Sequence, residues 1–261
     1  MDWDLWVGPE KNNGYIPGLH AFDWRGYWDY GTGSLGDMGC HLMDVPIKAL
    51  GLYDPYSVEA SISRLPYVRS YTPADVSSSS VPASSIVTYR FNPSKLNDSK
   101  VKFTWMDGGL RPSQPDQIKE DIGVGGILIY GEKGIISCND YGTRAKLYID
   151  GEVVETGQFD GIPSNSFNHY TSWVEAMVDG YGSDKHKNLN SGFDVAGPIS
   201  EVVLLGNVAV RSGLLKRSPR SNVFIGRKRL DYDSKNMVIT NFDQANQFLT
   251  REYRKGWELN I

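Results

Sequence analysis

The sequence predicts an α+β fold, an open and largely antiparallel β-sheet with helices packed on one face. Three observations carry that prediction. Short segments with strand alternation cluster in the middle of the chain. Helical periodicity is confined to a stretch near the start and to the last third. No strand alternates regularly with a helix, as a parallel doubly wound sheet would require.

Taken in order, residues 1–35 are rich in Gly, Pro and aromatics and keep no period, so they are expected to form an ordered but irregular arm. Residues 37–50 read as a helix that starts at Asp37 and is ended by Gly51 in the left-handed capping position. In residues 57–65, Val58, Ala60 and Ile62 alternate with Glu59, Ser61 and Ser63, which is a strand pattern. Residues 71–85 hold Pro73, Ser77 to Ser80 and Pro82, a loop composition and the most mobile segment expected.

Residues 86–91 and 101–105 are two further strands, and 108–123 is a long loop. Residues 126–130 and 135–138 form one hairpin. Residues 145–149 and 153–155 form another, with Asp150-Gly151 as its turn signal. The last third turns helical. Residues 167–178 place Tyr170, Val174 and Met177 at helical spacing. Residues 194–213 form the longest helix, with Ile199, Val202, Val203, Leu205 and Val208 as its buried face. A short strand is expected near 223–225 and a final helix over 243–254. The whole of 1–261 reads as one domain, an arm over 1–35 and an α+β body over 36–261.

The 261 residues give ample room for a core, and 40% hydrophobic with 22% charged residues is a globular composition. A net charge of −4 argues against a nucleic-acid or anionic-membrane surface. The longest apolar run, near 202–210, is interrupted by Gly206 and Asn207 and is too short to span a bilayer. Two cysteines, Cys40 and Cys138, make no disulfide framework. The first residues carry no basic, apolar leader, and the cytoplasm is the expected compartment, with export as the alternative. Trp3, Trp6, Tyr15, Phe22, Trp24, Tyr27, Trp28 and Tyr30 crowd the first thirty positions. Such flat rings suit sugars, though filling core space explains most of them.

The chemistry centres on residues 31–44, GTGSLGDMGCHLMD. Asp37, His41 and Asp44 stand at i, i+4 and i+7, on one face of a helix. Carboxylates beside an imidazole make a proton-handling group, because they hold its tautomer and stabilise its charged form. The plainer reading is a helix capped by Asp37. Gly31, Gly33 and Gly36 match GxGxxG, but the preceding WRGYWDY is no buried strand, so a dinucleotide cradle is not supported. A metal site on the same residues lacks a second nearby histidine, since His20, His169 and His186 lie far along the chain. No metal or cofactor ligands are expected on this chain. Cys40 and His41 are neighbours pointing about 100° apart and are no catalytic dyad. Asp107, after Trp105, ends a strand, where a carboxylate can bind sugar hydroxyls or simply shape the turn. Asn168 and His169 open a helix.

In these residues the sequence resembles the C-terminal domain of the Gfo/Idh/MocA oxidoreductases, in a form similar to bacterial branches acting on saccharides. That family's signature, a Gly-rich turn followed by Asp-x-Gly-x-His-x-x-Asp, stands here as Asp37 to Asp44. Further fragments follow in family order: Trp3-Asp4-Leu5-Trp6 with Gly8-Pro9, Trp24-Arg25, Trp105 to Gly109 with Pro112, Gly131 to Gly134, Leu204 to Ala209, Thr240-Asn241 with Gln244-Ala245-Asn246, and Tyr253 to Trp257. The resemblance implies the fold of the glyceraldehyde-3-phosphate-dehydrogenase-like second domain. It implies an NAD(P)-dependent oxidoreductase acting on a sugar, polyol or related CH–OH group. His41 is then the general base, and Asp37 orients it and contacts the sugar. Trp24, Arg25, Asp107, Asn168 and His169 are the candidate substrate-binding residues.

The family's Rossmann domain, with its cofactor fingerprint and Glu-Lys-Pro lysine, is not in this sequence. NAD or NADP is therefore expected on that N-terminal domain, and the chain alone is expected to be inactive. Homo-oligomers are expected through the open sheet face, which would otherwise be a bare apolar patch. Two alternatives stay open: half of a glycosidase that works through transient oxidation by NAD, and a non-enzymatic carbohydrate-binding or oligomerisation module.

Overall fold

The computed structural model describes residues 1–63, 79–154, 168–219, 221 and 223–259. In chain order the elements are α1 (Trp3–Val7), a 3-10 turn (Asp23–Gly26), α2 (Gly33–Leu42), α3 (Asp44–Leu50), β1 (Pro55–Ile62), β2 (Ser85–Phe91) and β3 (Val101–Met106). Then come β4 (Ile127–Tyr130), β5 (Ile135–Cys138), β6 (Lys146–Ile149) and β7 (Glu152–Val154). Helices α4 (His169–Asp179), α5 (Asp184–Lys187) and α6 (Phe193–Ser212) precede β8 (Leu230–Asp233), β9 (Val238–Ile239) and a second 3-10 turn (Asp243–Phe248). Every strand pair is antiparallel, and helices and sheets are segregated along the chain, as an α+β domain requires.

The described residues fall into two compact units, Met1–Ser113 with Val202–Ile261, and Gln114–Glu201. The first holds a five-stranded sheet in the order β3-β2-β1-β8-β9. Cross-strand partners share a face. Val58, Tyr89 and Phe103 are in register, as are Ala60, Val87 and Trp105. Val58, Val87, Tyr89 and Phe91 are buried, together with Leu230, Tyr232, and Val202, Val203, Leu205 and Val208 of α6. The period-3.6 face read in the sequence is the buried one, so α6 from Val202 on is a core helix. At 20 residues α6 is longer than the apolar run suggested, and by length and composition it would pass as a membrane span. Its burial in the core accounts for that apolar character equally well.

The other face of this sheet is not the apolar patch expected. Its registered residues include Glu59, Thr88 and Thr104, then Arg90 and Lys102. Arg90 Nη2 donates to Glu59 at 2.6 Å. The same face also carries Ile86 opposite Met106, so it mixes apolar with charged residues.

Two asparagines of the family-like fragments turn out to be strand partners. Asn246 accepts from the Ile239 N–H at 2.7 Å and donates to its carbonyl at 3.1 Å. Asn241 accepts from the Asp231 N–H at 2.9 Å and donates to the Arg229 carbonyl at 3.0 Å. Each amide satisfies backbone groups at the end of a short strand pair. The chain over 243–254 is accordingly a 3-10 turn and an irregular segment, not the expected helix. Around Phe224 there is one isolated bridge to Lys216 in place of a strand.

The arm is more regular than its composition suggested. The Asp2 carboxylate accepts from the Leu5 N–H at 3.2 Å and caps α1. Trp3 and Trp6 then stack at 4.6 Å. The C-terminal segment clasps this arm: Arg254 Nη1 donates to Asp4 Oδ1 at 2.5 Å, its N–H to the Pro9 carbonyl at 2.8 Å, and Arg251 ion-pairs with Glu10.

The second unit holds the sheet β4-β5-β6-β7 over a core of Ile118, Ile135 and Tyr148. Asp150 and Gly151 both have positive φ, 52° and 82°, the requirement of a tight two-residue hairpin turn. Glu120 accepts from Lys146 at 2.7 Å and from the Tyr148 hydroxyl, and these bonds hold its carboxyl below the usual range. Helix α4 stands where the periodicity places it. Tyr170, Val174 and Met177, at helical spacing, are 82%, 51% and 64% exposed, and Ala176 alone of its residues is buried.

Candidate active site

Helix α2 carries the signature, and its start explains how. The sequence places the helix start at Asp37; the structure starts it four residues earlier, at Gly33. Glycine is a poor helix former. Here packing requires it. A Cβ on Gly39 would fall 2.9 Å from Val203 Cγ1, and one on Gly36 1.8 Å from Thr32 Oγ1. On the facing helix, a Cβ on Gly206 would fall 2.6 Å from Leu35 and 2.0 Å from the Tyr89 hydroxyl. Bare backbone on both helices lets α2 lie close on α6. Tyr89 closes the contact from the sheet by donating to the Val203 carbonyl at 3.4 Å, and burial pushes its hydroxyl far above its ordinary pKa, so it stays a donor.

Asp37 is therefore the fifth residue of α2, not its cap. With Gly33, Leu35 and Gly39 buried, Ser34, Asp37, Cys40 and His41 face outward. Asp37 and His41 lie one turn apart on that exposed face. Asp44 belongs to a separate helix. Pro46 has no N–H to offer the Leu42 carbonyl and its ring crowds it, so the helix breaks at Met43 and restarts. Asp44 ion-pairs with Lys48 at 3.1 Å, one turn on in α3. Gly51 ends α3 in the left-handed conformation, φ 66° and ψ 41°. The Cys40 thiol points back to the Asp37 carbonyl at 3.6 Å.

Arg25 reaches this face from the first 3-10 turn. Its Nε donates to Asp37 Oδ1 at 3.2 Å and its Nη1 to the Phe22 carbonyl at 3.2 Å. The guanidinium stands over the Phe22 ring at 4.3 Å and the Trp24 ring at 4.5 Å. Gly31 makes the approach possible, since a Cβ there would fall 2.6 Å from the Arg25 Cα. Trp24 is itself fixed by its Nε1 donating to the Ala21 carbonyl at 3.2 Å. Of the residues singled out in the sequence, Trp24, Arg25, Asp37 and His41 thus share one locality. Phe22 was missed as a partner of Arg25; its place three residues before Arg25, among so many aromatics, is the only signal it left.

The remaining candidates have structural employment. Asp107 accepts from the Ser85 N–H at 2.5 Å, from the Ser85 hydroxyl at 2.9 Å and from Trp105 Nε1 at 2.8 Å, tying the end of β3 to the start of β2. Asn168 caps α4 by accepting from the Thr171 N–H at 3.0 Å. His169 is the exposed first residue of that helix, in the second unit. His20 packs edge-on to Trp6, and His186 Nδ1 accepts from the Gly182 N–H.

A dinucleotide does not fit the glycine stretch. A Cβ on Gly31 would meet Arg25, one on Gly33 would fall 2.4 Å from Val81, and one on Gly36 would meet Thr32, so these glycines serve internal packing. Among the described residues no three His, Cys, Asp or Glu side chains gather into a metal site.

Residues 1–63 match the family described as oxidoreductase family, C-terminal alpha/beta domain. The match covers the arm, α2, α3 and β1, hence Trp24, Arg25, Asp37 and His41 together. No curated protein matches the chain. Over residues 1–63 the chain is similar to the C-terminal domain of the Gfo/Idh/MocA oxidoreductase family.

Proposed function

We propose that this domain supplies the substrate-binding and proton-transfer half of an NAD(P)-dependent oxidoreductase that acts on a CH–OH group of a sugar or polyol. The observation that carries the reading is the exposed pair Asp37 and His41, one turn apart on α2, inside the family-matched segment. Oxidation of an alcohol to a carbonyl removes a hydride from carbon and a proton from oxygen. His41 takes the proton as general base, a task suited to imidazole near neutral pH. Asp37, held by Arg25, offers its carboxylate to a substrate hydroxyl. Phe22 and Trp24 stand beside it as apolar surface for a sugar ring.

Packing at Gly31, Gly33 and Gly36 supports reading the hydride acceptor as bound by a Rossmann domain partnered with this one. The test is an assay of the domain joined to such a partner, with NAD and NADP, over a panel of hexoses and inositols. Reduced cofactor and carbonyl product should form in equal amounts. A glycosidic product released with no net reduced cofactor would favour the transient-oxidation reading, and no reaction with any member would overturn both.

A further inference from the structure

We infer that Arg25 is a positioning residue that acts through Asp37 by fixing one orientation of its carboxylate. The inference rests on the proposed role of Asp37 and His41, and adds a residue to it. An exposed ion pair ordinarily spends the rotamer freedom of a long side chain for little return. Here that freedom is already gone. The guanidinium is stacked against Phe22 and Trp24, anchored by Nη1 to the Phe22 carbonyl, and its backbone is pressed against Gly31. A planar guanidinium so held has one direction in which to present Nε. That direction is taken by Asp37 Oδ1, at 3.2 Å. The second oxygen, Oδ2, accepts no hydrogen bond among the described residues. The side chain of Asp37 is 41% exposed and that of Arg25 31%.

The arrangement therefore engages one oxygen with a fixed cation, on a half-exposed carboxylate one turn from His41. A carboxylate that swung freely would lose the geometry a reacting hydroxyl needs, and small misplacements of that kind are costly in rate. Lysine could supply the charge at this position but not the planar fork or the stacking.

The test uses the isotope-labelled chain and does not require turnover. In the wild type, the scalar couplings of Asp37 should report a single χ1 rotamer, and the Arg25 Nε–H should give a resolved cross-peak. Arg25→Met should average the Asp37 couplings over rotamers while the melting temperature stays nearly unchanged, and Arg25→Lys should restore only part of the order. An Asp37 that keeps one rotamer in Arg25→Met, or an Arg25 Nε–H signal unmoved by Asp37→Asn, would overturn the inference. In the joined oxidoreductase, Arg25→Met should lower kcat with KM unchanged, whereas a rise in KM at constant kcat would make Arg25 a substrate contact instead. Absence of hydride transfer in the wild type would sink the proposed function while the couplings still decide the role of Arg25.

Discussion

A β-carbon on Gly39 would stand 2.9 Å from Cγ1 and 3.1 Å from Cγ2 of Val203, so α2 meets α6 through bare backbone. His41 is two residues further along α2. Gly39→Ala gains helix propensity of up to about 1 kcal/mol, but overpacking a tight contact costs roughly 1–3 kcal/mol. The net expectation is a destabilisation of about 1 kcal/mol in denaturant unfolding. Gly206→Ala should cost more, because its clash is with the buried Tyr89 hydroxyl rather than with a methyl group. Equal or raised stability in both variants would show that the helices do not pack this closely.

The clasp between the chain's ends should weaken in acid. The hydrogen bond from Arg254 first, and that from Asn12 second, hold the Asp4 carboxyl below its ordinary value. A carboxyl whose folded pKa is depressed adds stability above its unfolded pKa, about 3.9. That contribution is lost as pH falls through the lower folded value. Hydrogen exchange of the 251–257 amides should therefore speed up selectively below about pH 4. Arg254→Ala should speed it at neutral pH as well. Exchange that is unchanged in Arg254→Ala would remove the pair from the clasp.

Helix α4 should tolerate polar change on the side that carries its apolar spacing. Trp173 is 58% and Tyr170 82% exposed. Trp173→Ser should leave the unfolding free energy of the chain within about 0.5 kcal/mol, as surface substitutions do. A loss of several kcal/mol would mean that the side chain is buried after all.

The glycine stretch should hold no nucleotide. Calorimetric titration of the chain with NAD is expected to give no saturable heat. Micromolar binding would contradict the packing of Arg25, Val81 and Thr32 over Gly31, Gly33 and Gly36.

What was legible in the sequence follows from how local its cause is. The β1 alternation, the Asp150-Gly151 turn, the Gly51 cap and the α6 stripe are each set by a few neighbouring residues, and all were readable. The start of α2 was not, because glycines that look like a turn become helical only when Val203 and Tyr89 are there to pack against. The apolar spacing of α4 was legible as helical, but its exposure was not, since periodicity marks a face without saying what meets it. Asn241 and Asn246 passed as family letters because their strand partners lie several residues away. At the candidate site, the one-turn spacing of Asp37 and His41 was legible, whereas the Arg25–Asp37 pair, twelve residues apart, needed the fold.

The most direct test of the account is the rate of hydride transfer in His41→Ala within the joined oxidoreductase. Loss of a general base should lower kcat by about 10²–10⁴-fold, with the fold and cofactor affinity intact. A rate within a few-fold of the wild type would take His41 out of the chemistry and leave α2 as a packing helix only.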